Sequence, residues 1–215
     1  MKRVLTALMV LAVSATAYAQ RVPDPKPAAQ GFLVLPVALG NPVFSNLTSV
    51  LAQVDGCFQL PVYKGLGLGV GVNASFFELN EFGLGAQTQT QGFVNRILYY
   101  GKLNYVHYTG PVTFVQLDAK FGPSSWNWNC STCTESARQP GFHWGVDAGY
   151  FVHASPNLAF GLTVGYDADN TSFGPDVIGL ERFPGRTDTG SPYRFLTVGL
   201  GFSTGFAKAS GEGMW

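Results

Sequence analysis

The chain has 215 residues with 13 Lys and Arg and 13 Asp and Glu, so that only 12% of it is charged, against about 25% in ordinary soluble domains. Glycine (27 residues) and aromatic residues (14%) are abundant. This composition argues against an ordinary soluble domain, which needs a charged surface. The balanced charge without a basic cluster argues against a nucleic-acid-binding protein.

Residues 1–19 have the parts of a secretory signal peptide. Lys2 and Arg3 precede an apolar stretch at 4–13, and Ala17-Tyr18-Ala19 matches the small-x-small pattern that signal peptidase reads. The stretch is shorter than the roughly 20 residues of a membrane-spanning helix, so an uncleaved anchor is the weaker alternative.

Cleavage after residue 19 would leave a mature chain that carries 11 basic and 13 acidic residues, a net charge of −2. Residues 20–30 are rich in proline and are predicted to be an extended periplasmic lead-in. No later segment has the length of a membrane-spanning helix, since the best candidate, at 32–39, is under half that length and contains Pro36. If the mature chain spans a membrane, it does so as a closed barrel.

Alternation of apolar and small or polar residues with a period of two predicts eight strands. It is clearest in the third, sixth and seventh; at 158–166, for example, Leu, Phe, Leu, Val and Tyr alternate with Ala, Gly, Thr and Gly. An even number of strands puts both termini on one side of a barrel. In chain order the predicted strands are 31–39, 57–63, 65–76, 96–108, 112–121, 142–152, 158–166 and 193–206.

The predicted connections alternate strictly between long and short. Outer-membrane barrels have this asymmetry, with short periplasmic turns and long extracellular loops. We therefore predict an all-β fold, an eight-stranded antiparallel up-and-down transmembrane β-barrel at 31–206, followed by a short C-terminal tail at 207–215. The short turns are 64–65, 109–111 and 154–157; the long loops are 40–56, 79–95, 122–140 and 169–192.

The composition of the two strand faces decides which face meets lipid. A soluble β-sandwich or lipocalin-like barrel is the alternative, and its outer face should be charged. In the three clearest strands the face opposite the apolar one is mostly Gly, Ser, Thr and Asn, with Asp147 as its single formal charge. Such a face fits the narrow inside of a small barrel, so the apolar face is predicted to contact lipid.

Five aromatic residues on the predicted lipid face are candidates for the membrane interfaces, where transmembrane barrels carry aromatic girdles. Scattered aromatic residues could equally be core residues. The candidates are Tyr99, Tyr105, Trp144, Tyr150 and Tyr166.

Several segments together resemble the small eight-stranded outer-membrane barrels typified by the transmembrane domain of OmpA and by OmpX. They are the signal peptide ending in Ala-Tyr-Ala, the Gly-rich strand at 66–72, the hairpin at 157–160 and the final strand at 195–202. The resemblance implies a location in the bacterial outer membrane among lipid and lipopolysaccharide, and insertion by the barrel-assembly machinery. It implies no particular activity. The final strand resembles the C-terminal assembly signal of such barrels, in which alternating apolar residues end on an aromatic residue. Phe202, Phe206 and Trp215 are all candidates for that terminal aromatic residue.

Three cysteines are present. Cys130 and Cys133 form a C-x2-C in the third long loop, which in an exported protein predicts a local disulfide, with a metal site as the weaker alternative. Cys57, placed at the loop end of the second strand, is left over, either free or competing for a partner.

The sequence offers one weak catalytic hypothesis. His153-Ala154-Ser155 superficially resembles the His-x-Ser element of lipid A deacylases, but Pro156 follows it and the predicted topology puts it in a periplasmic turn. A turn-forming Ser-Pro-Asn explains these residues without catalysis.

Polar residues on the inward face of strands four to six are predicted to form a polar network in the lumen, because an eight-stranded barrel is just wide enough for side chains to fill it. A gated ion path is the alternative. The residues are Lys102, Asn104, Gln116, Asp118, Lys120 and Asp147.

The sequence thus predicts an integral outer-membrane barrel without enzymatic activity or cofactor, which supports the envelope and presents extracellular loops to an unknown partner. A narrow channel or carrier for a small solute is the second hypothesis, and a lipid A-modifying enzyme the third.

Overall fold

The computed structural model describes residues 26–85, 89–133, 137–184 and 190–206, and there the chain forms a closed barrel of eight antiparallel strands. Each strand pairs with its sequence neighbours, and β1 pairs with β8. The predicted up-and-down barrel is confirmed. The strands are β1 Ala28–Ala38, β2 Thr48–Tyr63, β3 Leu66–Leu79, β4 Gly92–Tyr108, β5 Thr113–Cys130, β6 Ala137–Ser155, β7 Leu158–Phe173 and β8 Ser191–Gly205.

One end of the barrel has short turns at 64–65, 109–112 and 156–157, as predicted for the periplasmic end. The connections at the other end include a short helix, α1 Pro42–Leu47, and a 3-10 helix, Pro175–Ile178. In the part of the chain that the structure describes, no helix is both long and apolar enough to cross a membrane. The predicted signal peptide, residues 20–25 of the lead-in and the tail at 207–215 lie outside the described residues and stay predictions.

Except in β1, which ends at Ala38, the predicted strand ends are wrong at the extracellular side, where the strands continue beyond them. β2 begins nine residues before position 57 and β5 ends nine residues after position 121; β4, β6 and β7 are extended in the same direction. The alternation of apolar and small residues stops there because the outer face no longer meets lipid, although the ladder of backbone hydrogen bonds continues. At the other end, β1 begins at Ala28, so the last three residues of the predicted lead-in belong to the barrel.

The outer surface of the barrel is a belt of exposed apolar side chains. On β7, for example, Phe160, Leu162 and Val164 are 54%, 63% and 49% exposed, while Ala159 on the opposite face is buried. A soluble barrel would have the reverse arrangement. The outward apolar face is therefore the lipid-facing surface of a membrane barrel.

Glycine on the inward face leaves the space that large lumen side chains occupy. A side chain at Gly71 would collide with the ring of Tyr100, and one at Gly165 would collide with the carboxylate of Asp147. The Gly-rich strand faces are thus a packing requirement of a narrow barrel whose interior is filled.

The barrel wall is interrupted at the extracellular half of β1. Pairing between β1 and β2 ends at Val34 and Gln53, whereas β1 stays paired with β8 as far as Ala38. The amide of Leu39 donates to β8, so alternate residues of β1, Pro36 among them, face β2. Because proline has no N–H, it cannot extend the ladder here, and α1 packs against both strands instead.

We expect Leu162→Arg to lower the free energy of unfolding in lipid vesicles by about 2–4 kcal/mol, since Leu162 lies near the middle of the apolar belt and would bring a charge into hydrocarbon. Denaturant titration after refolding into vesicles measures this value. Its neighbour Thr163 faces the lumen, and the control Thr163→Ser removes one methyl group at a cost of about 1 kcal/mol. A harmless Leu162→Arg would contradict the assignment of the lipid face.

Candidate functional site: lumen and extracellular cap

The six residues of the predicted lumen network all lie on the inward face, and the structure divides them into two groups. In the first, Lys102 Nζ is 3.2 Å from Asp118 Oδ2, and Gln116 Nε2 donates to the same oxygen at 2.7 Å. Lys102 also donates to Gln30 Oε1 at 2.9 Å. Asn104 is buried nearby, and its Oδ1 has no hydrogen-bond partner among the described residues.

The second group is centred on Lys120. Its Nζ is 2.9 Å from Asp147 Oδ2 and 2.9 Å from Asp55 Oδ2, and it lies 5.2 Å from the ring centroid of Tyr100, whose hydroxyl donates to Asp55. Asp55 is missing from the predicted network because the prediction placed it in a loop. Had β2 been extended upstream of Cys57, the period of two would have put Asp55 on the inward face.

A third group, which the sequence analysis did not find, lies above Lys120. Arg96 is 1% exposed; its Nε is 3.6 Å from Asp169 Oδ2, and its Nη2 is 3.2 Å from His143 Nδ1. His143 Nε2 in turn is 3.4 Å from Asp167 Oδ1. Arg96 has the same parity as Lys102 on β4, and this parity was the signal in the sequence that could have placed it in the lumen. Arg96 was missed because it is the first residue of the predicted strand.

A small cavity lies among these groups in the middle of the lumen. It has a volume of about 20 Å³ and is lined by Lys120, Asp147, Asp167, Thr163 and Thr197 among others. This is space for about one water molecule. In the part of the chain that the structure describes, no three His, Cys, Asp or Glu side chains are arranged to hold a metal ion.

An aromatic cluster closes the extracellular end of the lumen, and Phe44 of α1 lies at its centre. We call this cluster, with α1 and the 3-10 helix, the extracellular cap. The ring centroid of Phe44 is 5.4–6.1 Å from the rings of Phe77, Trp126, Trp128, Phe173, Tyr193 and Phe195, all packed edge to face.

Local hydrogen bonds explain why this short segment is helical. The side chain of Asn41 accepts a hydrogen bond from the amide of Phe44 at 3.0 Å, Pro42 occupies the first turn, and Thr48 Oγ1 donates to the carbonyl of Phe44 at 2.7 Å. Val177 and Ile178 of the 3-10 helix are buried in the same cluster. The described parts of two of the predicted long loops are thereby packed onto the barrel.

A second apolar cluster lies at the periplasmic end of the lumen. Phe114 and Phe151 stack with their ring centroids 4.9 Å apart, next to Val106 and Ala159. The lumen is therefore apolar at both ends and charged in the middle.

Comparison with known proteins gives a fold and no sequence family. No protein-family model matches the chain, and no curated protein matches it. Among solved structures, Neisserial surface protein A is similar over 84% of this chain and 97% of its own, with a TM-score of 0.51 and 12% sequence identity. The chain has the fold of the small eight-stranded outer-membrane β-barrels.

Two further solved barrels show comparable similarity. Ail of Yersinia pestis has a TM-score of 0.49 and 10% identity over 85% of this chain and all of its own. OprG of Pseudomonas aeruginosa has a TM-score of 0.49 and 9% identity, covering 86% of this chain and 98% of its own. The apolar belt together with the fold places the protein in the bacterial outer membrane.

All five predicted interface aromatics of this outer-membrane barrel point outward. Tyr105 pairs with Leu66 directly after the 64–65 turn, and the rings of Trp144 and Tyr166 are 5.5 Å apart. Tyr99 and Tyr150 are at least half exposed. The depth of these rings in the bilayer stays a prediction.

The cysteines occupy different parts of the barrel. Cys130 and Cys133 are joined as a disulfide at the end of β5, with their Cα atoms 5.1 Å apart. Cys57 is a correction to the sequence analysis: it lies inside the lumen, because β2 begins at Thr48 and not at Cys57. There Lys102 Nζ is 3.3 Å from its Sγ.

The segment His153-Ala154-Ser155 forms the periplasmic end of β6. The ring of His153 lies parallel to that of Tyr108, 6.0 Å away, and 5.3 Å from that of Phe114. His153 therefore packs in an aromatic group at the barrel end opposite the cap.

We expect Lys120→Met to lower the free energy of unfolding by about 3–5 kcal/mol, because it leaves Asp55 and Asp147 buried without their shared cation. Adding Asp55→Asn and Asp147→Asn to the same chain should restore much of the loss. Denaturant titration in lipid vesicles measures both. If the single variant is as stable as the wild type, the ion pairs do not hold the lumen together.

We expect Phe44→Ala to weaken the cap by about 3–5 kcal/mol, because it removes the ring on which the aromatic cluster is packed. Proteolysis within the first extracellular loop should become faster, while the heat-dependent migration of the folded barrel in gels is retained. Ser45→Ala, at an exposed position of the same helix, is the matched control. Equal cleavage rates for the two variants would contradict the role of Phe44.

Proposed function

We propose that this outer-membrane barrel is non-enzymatic, that it supports the envelope, and that it presents its extracellular cap to a partner outside the cell. The observation that carries the proposal is the combination of a filled lumen with loops packed onto it. A barrel that transports solutes needs space inside, whereas a barrel that displays a surface needs loops held in one conformation.

The contents of the lumen support a structural role. Lys102 is 1% exposed and Arg96 is 1% exposed, and both are engaged by carboxylates of the same lumen. Charges held in this way are unavailable to an external substrate, and moving them to open a pathway would separate buried ion pairs. The aromatic clusters at both ends add a further barrier to ions.

The outer surface of the cap supports a role in binding. It carries exposed residues of both charges and an exposed aromatic ring, Phe82, while Phe44, Val177 and Ile178 are buried beneath. Pre-organised loops lose little conformational entropy when they bind. Glu78, Glu181, Arg182 and Arg194 are among the exposed charged residues on and beside the cap.

The experiment compares a deletion strain complemented with the wild type, with a cap-surface variant carrying Phe82→Ser and Arg182→Glu, and with a control variant, Asn157→Ser, at an exposed periplasmic turn. All three should restore detergent resistance of the envelope. Adhesion of the cells to host-derived and abiotic surfaces should fall only in the cap-surface variant. Planar-bilayer recordings of the purified wild type should show no discrete conductance steps.

Regular conductance steps would instead favour the channel hypothesis. A change in lipid A composition that depends on the protein would favour the enzyme hypothesis. Equal adhesion of wild-type and cap-surface cells would remove the support for a role of the cap in binding.

A further inference from the structure

The lipid-facing surface is not uniformly convex. It contains a concavity of about 700 Å³, which we call the outer groove and which runs from the periplasmic ends of β2 to β4 to the middle of β6. Its floor is the small side chain of Ala119, which lies between Leu103 and Val146 on the neighbouring strands. Leu66, Leu68 and Leu117 form its apolar walls.

The periplasmic edge of the outer groove is polar and basic. Tyr63 and Tyr105 line this edge, and Lys64 Nζ lies 5.1 Å from the ring centroid of Tyr63. Lys64 itself is exposed in the turn between β2 and β3. An apolar groove thus ends beside an exposed ammonium group and two phenol rings.

The whole periplasmic end shares this charge. The short turns, the adjoining strand ends and the described chain ends beside them carry Lys26 and Lys64, and in these described segments there is no Asp or Glu. The exposed residues around the cap include both acids and bases. The periplasmic end is therefore suited to a surface of anionic headgroups.

We propose that the outer groove binds one anionic glycerophospholipid of the periplasmic leaflet, with an acyl chain along Leu66, Leu103 and Ala119 and the headgroup phosphate beside Lys64 and the hydroxyl of Tyr63. The groove is continuous with the lipid-facing belt, so hydrocarbon is the medium that meets it. Its basic edge complements a phosphate.

Two other occupants fit less well. Lipopolysaccharide belongs to the outer leaflet, whereas the polar edge of the outer groove, where a headgroup would bind, lies at the end of the short turns, opposite the cap. A second copy of the chain with the same edge facing this one would bring two Lys64 side chains together, and like charges in a poorly hydrated contact are unfavourable.

The test is native mass spectrometry of the mature protein in detergent, titrated with phosphatidylglycerol or with phosphatidylcholine of the same chains. We expect one phosphatidylglycerol to bind first, about five-fold more tightly than phosphatidylcholine, the ratio that one lysine near an anionic surface supplies. Lys64→Gln should abolish this preference. Lys26→Gln, which removes a charge from the same end of the barrel away from the groove, should keep it.

The apolar part of the site is tested by filling the groove. Ala119→Phe should weaken the binding of both lipids about five-fold or more, since it occupies the place of the chain. Ala74→Phe is the matched control, because Ala74 is a half-buried residue of β3 that pairs with the exposed Val54 and Ile97 outside the groove. Heat-dependent gel migration checks that each variant is folded, and the Lys64→Gln comparison stands if Ala119→Phe fails to fold.

Three results would overturn the proposal. One is binding of several lipids with equal affinity that neither Lys64→Gln nor Ala119→Phe changes. Another is displacement of phosphatidylglycerol by lipid A at equal concentration. The third is a dimer mass that Ala119→Phe removes, which would assign the groove to a second copy of the chain.

Discussion

Every part of this structure depends on the need to satisfy backbone hydrogen bonds inside a bilayer. Hydrocarbon offers no partner for a free N–H or C=O group, so the eight strands close on themselves through the pairing of β1 with β8. Closure with so few strands makes a narrow lumen, and a narrow lumen has to be filled. The apolar belt, the small residues on the inner face and the paired charges follow from this one requirement.

The charges of the lumen show how a low-dielectric interior holds ionised groups. Lys120 lies between Asp55 and Asp147, and Arg96 lies beside Asp167 and Asp169, so each of these two cations faces two carboxylates. Removing one partner leaves an uncompensated buried charge, so the loss of a single member of such a group is strongly destabilising. Their replacement as a set is correspondingly less costly than the loss of one member.

The two ends of the barrel are built differently because they meet different surroundings. The periplasmic turns are minimal, and one of them carries Lys64, whereas the extracellular strands rise above the belt and carry the cap. Phe44 links these levels, since it belongs to a loop and yet is buried in the aromatic cluster of the barrel. The described part of the cap is thereby anchored to the barrel wall.

The sequence by itself determined the number of strands, the face of each strand that meets lipid, and the alternation of short turns with long loops, and the structure confirms these. The export signal stays a prediction. Alternation with a period of two is a local property of a strand. It arises wherever a strand crosses the apolar belt, because one face of the strand meets lipid and the other face meets the crowded lumen. The inward placement of Lys102 and Asp147 follows from that parity alone.

The tertiary structure decided what the pattern does not contain. Asp55 and the upper part of β2 were assigned to a loop because alternation ends where lipid ends, although the backbone ladder continues. The grouping of Arg96 with His143 and the insertion of Phe44 among rings from distant strands depend on closure, which brings together residues that no local signal connects.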